Sequence, residues 1–262
     1  MSPTDSATII HPTAILDKKT KIGVGVTIGP YCHIGPEVII HDHTSIDSHV
    51  RVAGKTTIGS YNRIFSFASI GTEPQDLKYK GEPCELIIKD HNTIREYSNF
   101  SIGTAQDRGL TQIGSHNLFM MNAHIAHDVM IQNHCIIANN CSFAGHVQVE
   151  SHAVIGGHVA VHQHVRIGSY TMIGGVSGVS NDVPPYSLVA GNRARLIGLN
   201  MVGLKRQGFT PEDISEIKKI YQIVFYQKLS IEDAITKLKD NLIPHSQVML
   251  DFIKSSNRGI CR

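Results

Sequence analysis

The sequence predicts a mainly β chain. Residues 1–190 form a parallel β-helix of hexapeptide repeats, and residues 191–262 a C-terminal α-helical domain. Three observations carry this. Aliphatic residues recur every six positions from Ile10 through Ile22, Ile34, Ile46 and Ile58 to Ile70. The same spacing returns from Ile113 to Val179, with Phe119 and Phe143 among its members. A period of six suits neither an amphipathic helix nor a plain alternating strand. The repeat then stops at Asp182-Val183-Pro184-Pro185, where paired prolines cannot continue a ladder, and the apolar pattern turns helical after Gly191.

The elements follow in order. Residues 1–8 are polar and are expected to fray. From Ile10, three hexads make one triangular coil, so residues eighteen apart stack in line. A second row, four residues after each aliphatic (Ala14, Thr20, Val26, Cys32), is small or β-branched and suits a narrow prism. The register breaks at about 72–85 and 103–112, two polar stretches that read as loops ejected from the prism. Between them the frame resumes at Ile88, Ile94 and Phe100. Thr210-Pro211-Glu212-Asp213 is a helix start: a Thr cap, Pro in the first turn, acids behind it. Ser230 opens a second helix, Pro244 breaks it, and a last one runs through Met249, Leu250 and Ile253. Such helices would cover the open end of the β-helix and its unpaired edges.

Charge is nearly balanced, 24 Lys and Arg against 22 Asp and Glu, with no basic run and no Trp. That argues against nucleic-acid binding through phosphates. No apolar run is long enough to span a bilayer, and no secretory leader is apparent. The five cysteines lack CxxC spacing and read as reduced thiols of a cytoplasmic protein.

Sixteen histidines carry the chemistry. Among them His116, His134, His146, His152, His158 and His164 lie three residues after a member of the six-residue row, where a corner of the prism accepts them. His124, His127 and His162 fall off that register. One eighteen-residue stack runs His127, Gly145, Gln163, and the adjacent one Asp128, His146, His164. Coils lie about 4.8 Å apart, so a base, a carboxylate, a bare backbone and an amide share one patch. Neutral His can take a proton from a hydroxyl, a carboxylate favours the imidazolium that forms, and a glycine lets an N–H approach an oxyanion. Together these describe acyl transfer. The rival is a Zn²⁺ site of the kind in γ-class carbonic anhydrases, with His127, His146 and either His124 or a neighbouring chain as ligands. A purely structural solenoid is the third reading, although it has no need of ejected loops or of an off-register His-Asp pair.

Asn122-Ala123-His124-Ile125-Ala126-His127-Asp128 resembles the catalytic segment of the UDP-N-acetylglucosamine O-acyltransferases of lipid A biosynthesis. The likeness extends to Pro74-Gln75-Asp76-Leu77-Lys78-Tyr79, Ala144-Gly145-His146-Val147, Ala160-Val161-His162-Gln163 and Gly203-Leu204-Lys205-Arg206, nearly the whole chain. The resemblance implies a left-handed β-helix and a cytoplasmic homotrimer with sites between subunits. It implies an (R)-3-hydroxyacyl donor carried on the phosphopantetheine of acyl carrier protein, no other cofactor, no metal, and the glucosamine 3-hydroxyl of UDP-N-acetylglucosamine as acceptor. His127 would be the base, Asp128 its orienter and Gly145 the oxyanion donor. Gln75, Asp76, Lys78, His124, His146, His162 and Gln163 would contact nucleotide sugar or acyl chain, and Asn200 and Arg206 the uridine-diphosphate end. Gly175 would leave an acyl groove long.

Arg193, Val202 and Gln207 depart from the family's pattern, which puts nucleotide recognition in question more than the chemistry. The alternative acyltransferases are a paralogue with another acceptor and the sister N-acyltransferase of the pathway. The latter usually carries an extra N-terminal domain, for which hexads starting at Ile10 leave no room.

Overall fold

The computed structural model describes residues 7–227, 229–239 and 244–262. The expected frayed start, through residue 6, lies outside them. Strands, mostly of two residues, stack into three sheets that form the faces of a prism. The first face begins with Ile9–Ile10, the second with Ile15–Leu16 and the third with Lys21–Ile22. Neighbours within a face are parallel, and partners such as Ile28 with Ile46 and Ile34 with Val52 lie eighteen residues apart. Across the first loop the separation is thirty, as in Ile58 with Ile88, and across the second twenty-five, as in Phe100 with Ile125. The loops therefore insert twelve and seven residues without shifting the inward rows.

Strands Ser69–Thr72 and Glu85–Ile88 bound the first loop at 73–84. The second is shorter than the 103–112 read from the pattern. Leu110–Ile113 is already strand, because Leu110 and Thr111 pair with Glu85 and Leu86.

The six-residue row fills the core: Ile58, Ile70, Ile125, Ile137 and Ile155 are fully buried. Ile10 is instead 42% exposed, because no coil of the described residues lies beneath it to close the prism. The histidine register has a conformational cause. His116, His134 and His152 sit at φ 60°, 58° and 62°, a left-handed region that His tolerates better than most side chains. Their rings stack face to face, with centroids 4.8 and 5.0 Å apart.

The helical part begins later than Gly191. Ser187–Ala190 pairs antiparallel with Arg195–Leu199, so a hairpin closes the prism first. Four α-helices follow among the described residues: α1 (Met201–Arg206), α2 (Pro211–Tyr221), which runs on into a π-helical turn at Gln222–Tyr226, α3 (Ile231–Lys239) and α4 (Pro244–Lys254). Thr210 caps α2 reciprocally with Asp213, as its sequence predicts. Leu204, Ile217, Tyr221, Met249 and Phe252 form a second core that packs on Tyr170, Tyr186 and Leu196 of the last coils. The chain end covers the final edge: Asp182 N donates to Gly259 O at 2.9 Å and Cys261 N to Asp182 O at 2.8 Å. All five cysteines are free and buried. Burial pushes the Cys135 thiol up to about 12, so it resists becoming a thiolate. No described helix is long and apolar enough to cross a membrane.

Candidate active site

The corner between the second and third faces collects the unusual residues. Second-face strands end there at Thr72, Ser101, Ile125, Phe143 and Val161. Both loops leave the prism at this corner, and above them in successive coils come His127–Asp128, Gly145–His146 and Gln163–His164. One edge thus holds both insertions and the His127–Asp128 pair.

His127 is held by its neighbour in sequence. Its Nδ1 lies 2.8 Å from Asp128 Oδ2. In a neutral ring whose Nδ1–H donates to that carboxylate, Nε2 keeps its lone pair and can accept a proton. Asp128 is completely buried. Thr104 from the second loop donates its hydroxyl to Oδ2 at 2.6 Å and its backbone N–H to both carboxylate oxygens at 3.1 Å. The Asp128 amide in turn donates to Thr111 Oγ1 at 2.8 Å. Burial alone would raise the Asp128 pKa. The hydrogen bonds from His127 and Thr104 outweigh it and hold the carboxyl below its ordinary range. The carboxylate is therefore charged throughout the neutral range and ready to stabilise a protonated His127.

Gly145 lies directly against this ring. A Cβ built there would sit 2.5 Å from His127 Cε1 and 2.7 Å from Nε2. The absence of a side chain is what lets the imidazole occupy its place. The Gly145 N–H makes no hydrogen bond among the described residues, whereas its carbonyl accepts from His164 N at 3.1 Å. An acceptor nitrogen and a free amide donor therefore adjoin. His146 completes the patch. Its ring meets His127 edge-on at 5.0 Å and stacks on His164 at 4.3 Å, and its Nδ1 is 3.0 Å from Asp107 Oδ2.

The other expected site residues are spread around this centre. His124 lies on the second face with Nδ1 3.0 Å from Asn99 Oδ1, and burial holds its pKa below the usual value. Asn99 reaches Thr72 Oγ1, which links His124 to the foot of the first loop. Gln75 lines a cleft there with Arg51, Thr72 and Asn99. Asp76 accepts the Lys78 N–H at 2.9 Å within the loop, and Lys78 is exposed. His162 and Gln163 are exposed, with Arg258 Nη2 3.2 Å from His162 Nδ1. Gly175 stands at the far edge of the second face, where a Cβ would lie 3.2 Å from Gly157 O. Asn200 is mostly used for structure: its Oδ1 accepts Gly203 N as the α1 cap and its Nδ2 donates to Tyr170 O. Arg206 ends α1, exposed and without a hydrogen bond or ion pair among the described residues. Tyr170 lies at the corner of the third and first faces, so Arg206 and His127 flank opposite sides of the third face.

Donor atoms of His127, Asp128 and His146 lie within 4.8 Å of one another, close enough to surround a cation. His124 is not among them, so the trio differs from the one the sequence suggested. The carboxylate of this trio already accepts from His127 and Thr104, and the His146 Nδ1 faces Asp107. Such a pattern suits a proton relay better than a ligand set with free lone pairs.

A curated relative from Thermodesulfovibrio yellowstonii, an acyl-[acyl-carrier-protein]–UDP-N-acetylglucosamine O-acyltransferase, is 51% identical over 255 residues, 97% of this chain and 99% of its own. The chain belongs to the UDP-N-acetylglucosamine O-acyltransferase family. Residues 182–261 match the family model for domain 2 of these acyltransferases, and residues 19–54 and 110–145 match the bacterial transferase hexapeptide model. The solved structure of LpxA from Acinetobacter baumannii is 45% identical, with a TM-score of 0.95, over 97% of this chain and 100% of that one. The UDP-N-acetylglucosamine O-acyltransferase of Moraxella catarrhalis gives 44% and 0.95 over 97% and 99%. The expected fold class, a left-handed parallel β-helix followed by C-terminal helices, is that of this acyltransferase family.

In this acyltransferase the second loop supplies groups that sequence reading missed: Thr104, Asp107 and Arg108. Arg108 Nη2 donates to Asp128 O at 3.1 Å, and Nη1 contacts the Met130 sulfur. A stretch that leaves the repeat has no register, so nothing in its spacing points a side chain back at the prism. Gln207, one of the departures, hydrogen-bonds His152 and weakly offsets the burial that lowers that ring's pKa.

Proposed function

We infer that the chain transfers an (R)-3-hydroxyacyl group from acyl carrier protein to the glucosamine 3-hydroxyl of UDP-N-acetylglucosamine, the first step of lipid A biosynthesis. The observation that carries this reading is the His127–Asp128 pair set against the bare backbone of Gly145, in a member of this family. His127 Nε2 takes the proton of the acceptor hydroxyl as its oxygen attacks the thioester carbonyl. Asp128 stabilises the imidazolium. The Gly145 N–H donates to the oxyanion of the tetrahedral intermediate, and the departing thiolate recovers the proton from His127. No step calls for a metal or a resident cofactor; the acyl group arrives on the carrier's phosphopantetheine. Incubating the protein with UDP-N-acetylglucosamine and a panel of 3-hydroxyacyl carrier proteins, and weighing the products, tests the reading. No acylated nucleotide from any donor would reject it. Loss of activity on chelation, with recovery on adding Zn²⁺, would favour the metal reading.

The working form is a homotrimer in the cytoplasm. His127 lies at an outer edge of the prism, beside a cleft lined by Asp107, His146, His164 and Arg258 but not among its lining residues, and a neighbouring subunit would supply the facing wall. Leu77 at the tip of the first loop is 96% exposed and offers an apolar contact to a neighbour. Arg206 and His127 flank opposite sides of one face, and a cyclic assembly can bring the two edges of different subunits together. Full activity in a monomer at assay dilution would remove this element of the proposal.

Two specificity predictions follow from the same geometry. With Gln207 turned to His152, Arg206 supplies more of the charge facing a diphosphate, and paired guanidinium hydrogen bonds suit that group. Arg206→Ala is expected to raise KM for the nucleotide sugar at least tenfold with little change in kcat, about 1.4 kcal/mol of binding. An unchanged KM would transfer that role to Arg193 or Lys205. At the other edge, Gly175 carries no side chain that could shorten an acyl groove formed there between subunits. The wild type is expected to prefer long 3-hydroxyacyl donors, and Gly175→Met to reverse that preference. Each excluded methylene forfeits about 0.8 kcal/mol. Competition between long and medium donors reads the outcome, and a wild-type preference for the medium donor would put the ruler elsewhere.

A further inference from the structure

We propose that Thr104 is a positioning residue for the transfer reaction: it locks the Asp128 carboxylate against His127 and so acts on catalysis through a second residue. The inference rests on the acyl-transfer reading above and adds a third member to its relay.

The geometry is specific. Thr104 is completely buried, yet it lies in a loop that the sequence ejects from the prism. It returns to the wall because Gly103 has no side chain: a Cβ there would meet Leu110 N at 2.1 Å and Gly109 C at 2.3 Å. The loop closes on Thr104 itself, whose carbonyl accepts from Gly109 N at 3.0 Å and Asp107 N at 3.3 Å. That leaves its amide and hydroxyl to point at one target. Both reach the Asp128 carboxylate, the hydroxyl at 2.6 Å on the same oxygen that meets His127 Nδ1.

The amide is shared between both oxygens at 3.1 Å, and the hydroxyl adds a shorter bond to Oδ2 alone, so with both in place the carboxylate cannot turn about its Cβ–Cγ bond without breaking one. Thr104 therefore fixes the plane in which Oδ2 meets His127. It also stabilises the charged carboxylate on which the imidazolium depends. Other groups bear on the same carboxylate. His146 Nδ1 is 3.9 Å from Asp128 Oδ2, with Asp107 on its Nδ1 and His164 stacked behind it. Arg108 holds the Asp128 carbonyl, and Cys84 lies near enough to feel the charge. None of these donates a hydrogen bond to the carboxylate oxygens, so the positional task falls to Thr104.

The test is Thr104→Val, which keeps the shape and the backbone N–H but removes the hydroxyl, with Thr104→Ser as the conservative rescue. Acyl transfer by the full chain is measured across pH. Expected for Thr104→Val is a kcat lower by roughly tenfold, a KM for UDP-N-acetylglucosamine within about twofold, and an acid limb of kcat moved to higher pH. The direction follows because a carboxylate with one donor fewer is more basic and favours the adjoining imidazolium more, so the base stays protonated to higher pH. Thr104→Ser is expected to restore kcat and the limb together. In an Asp128→Asn background the Thr104→Val loss is expected to vanish, as it must if the hydroxyl acts through that carboxylate. If Thr104→Val does not fold, Thr104→Ala carries the same measurements. A wild-type kcat and acid limb in Thr104→Val overturns the proposal, as does an undiminished loss in the Asp128→Asn background or a Ser variant as slow as Val. Failure of the underlying reading looks different: the wild type then makes no acylated nucleotide, or His127→Ala retains full rate.

Discussion

His127→Ala is expected to lower kcat by ~10² to 10⁴, the usual contribution of a general base, while the protein still folds. The reason lies in where the ring sits. Its side chain is 14% exposed at an edge of the prism, outside the aliphatic rows that hold the coils together. Truncation opens space toward solvent and the Gly145 backbone, so no sealed core cavity results. It also takes one donor from Asp128. That buried carboxylate keeps both donors of Thr104, so it is not stranded without partners. The thermal midpoint is therefore expected to stay within a few degrees of wild type, roughly what 1 kcal/mol changes in a chain of this size. Melting curves and product formation on the same preparation separate the two effects. An unfolded variant would mean that His127 is structural, and an active one that another group takes the proton.

Much of the architecture was legible because a solenoid repeats one local rule. Period six gave the inward row, and a stride of eighteen gave the stacking of His127 on Gly145 and of Asp128 on His146. The corner histidines were legible as a register, although the left-handed backbone that explains them appears only in the fold. Two features lay beyond the pattern. The hairpin of Ser187–Ala190 with Arg195–Leu199 follows a segment whose prolines end the repeat, so its second strand carries no periodic mark. The second loop shows in the sequence only as a break in the register, and a period locates only residues that obey it. Thr104 is buried by the return path of its loop, which depends on close packing at Gly103 and not on spacing. Asn200, which the resemblance placed at the nucleotide end, spends two of its hydrogen bonds holding α1 to Tyr170.

Gly145→Ala is expected to match His127→Ala in severity, although it removes no functional group. The added methyl would lie 2.5 Å from His127 Cε1, 2.7 Å from Nε2 and 3.1 Å from Nδ1. Those are ring atoms on a short, partly enclosed side chain, so the imidazole must turn away. Turning breaks the 2.8 Å contact with Asp128 and withdraws Nε2 from the place where the acceptor hydroxyl must lie. The alanine backbone itself is unstrained, because Gly145 does not occupy the left-handed region. The fold should therefore survive, and the substitution restricts the unfolded chain slightly in its favour. The amide N–H also remains, which makes the variant informative about what the glycine is for. If its main task is to leave room for His127, the double variant His127→Ala/Gly145→Ala is no slower than His127→Ala alone, since residues that act as a unit are not additive. A further loss in the double variant would measure interference with the oxyanion contact itself. A kcat in Gly145→Ala within threefold of wild type would show that the ring does not need its present position, and the His127–Gly145 account of the chemistry would fall with it.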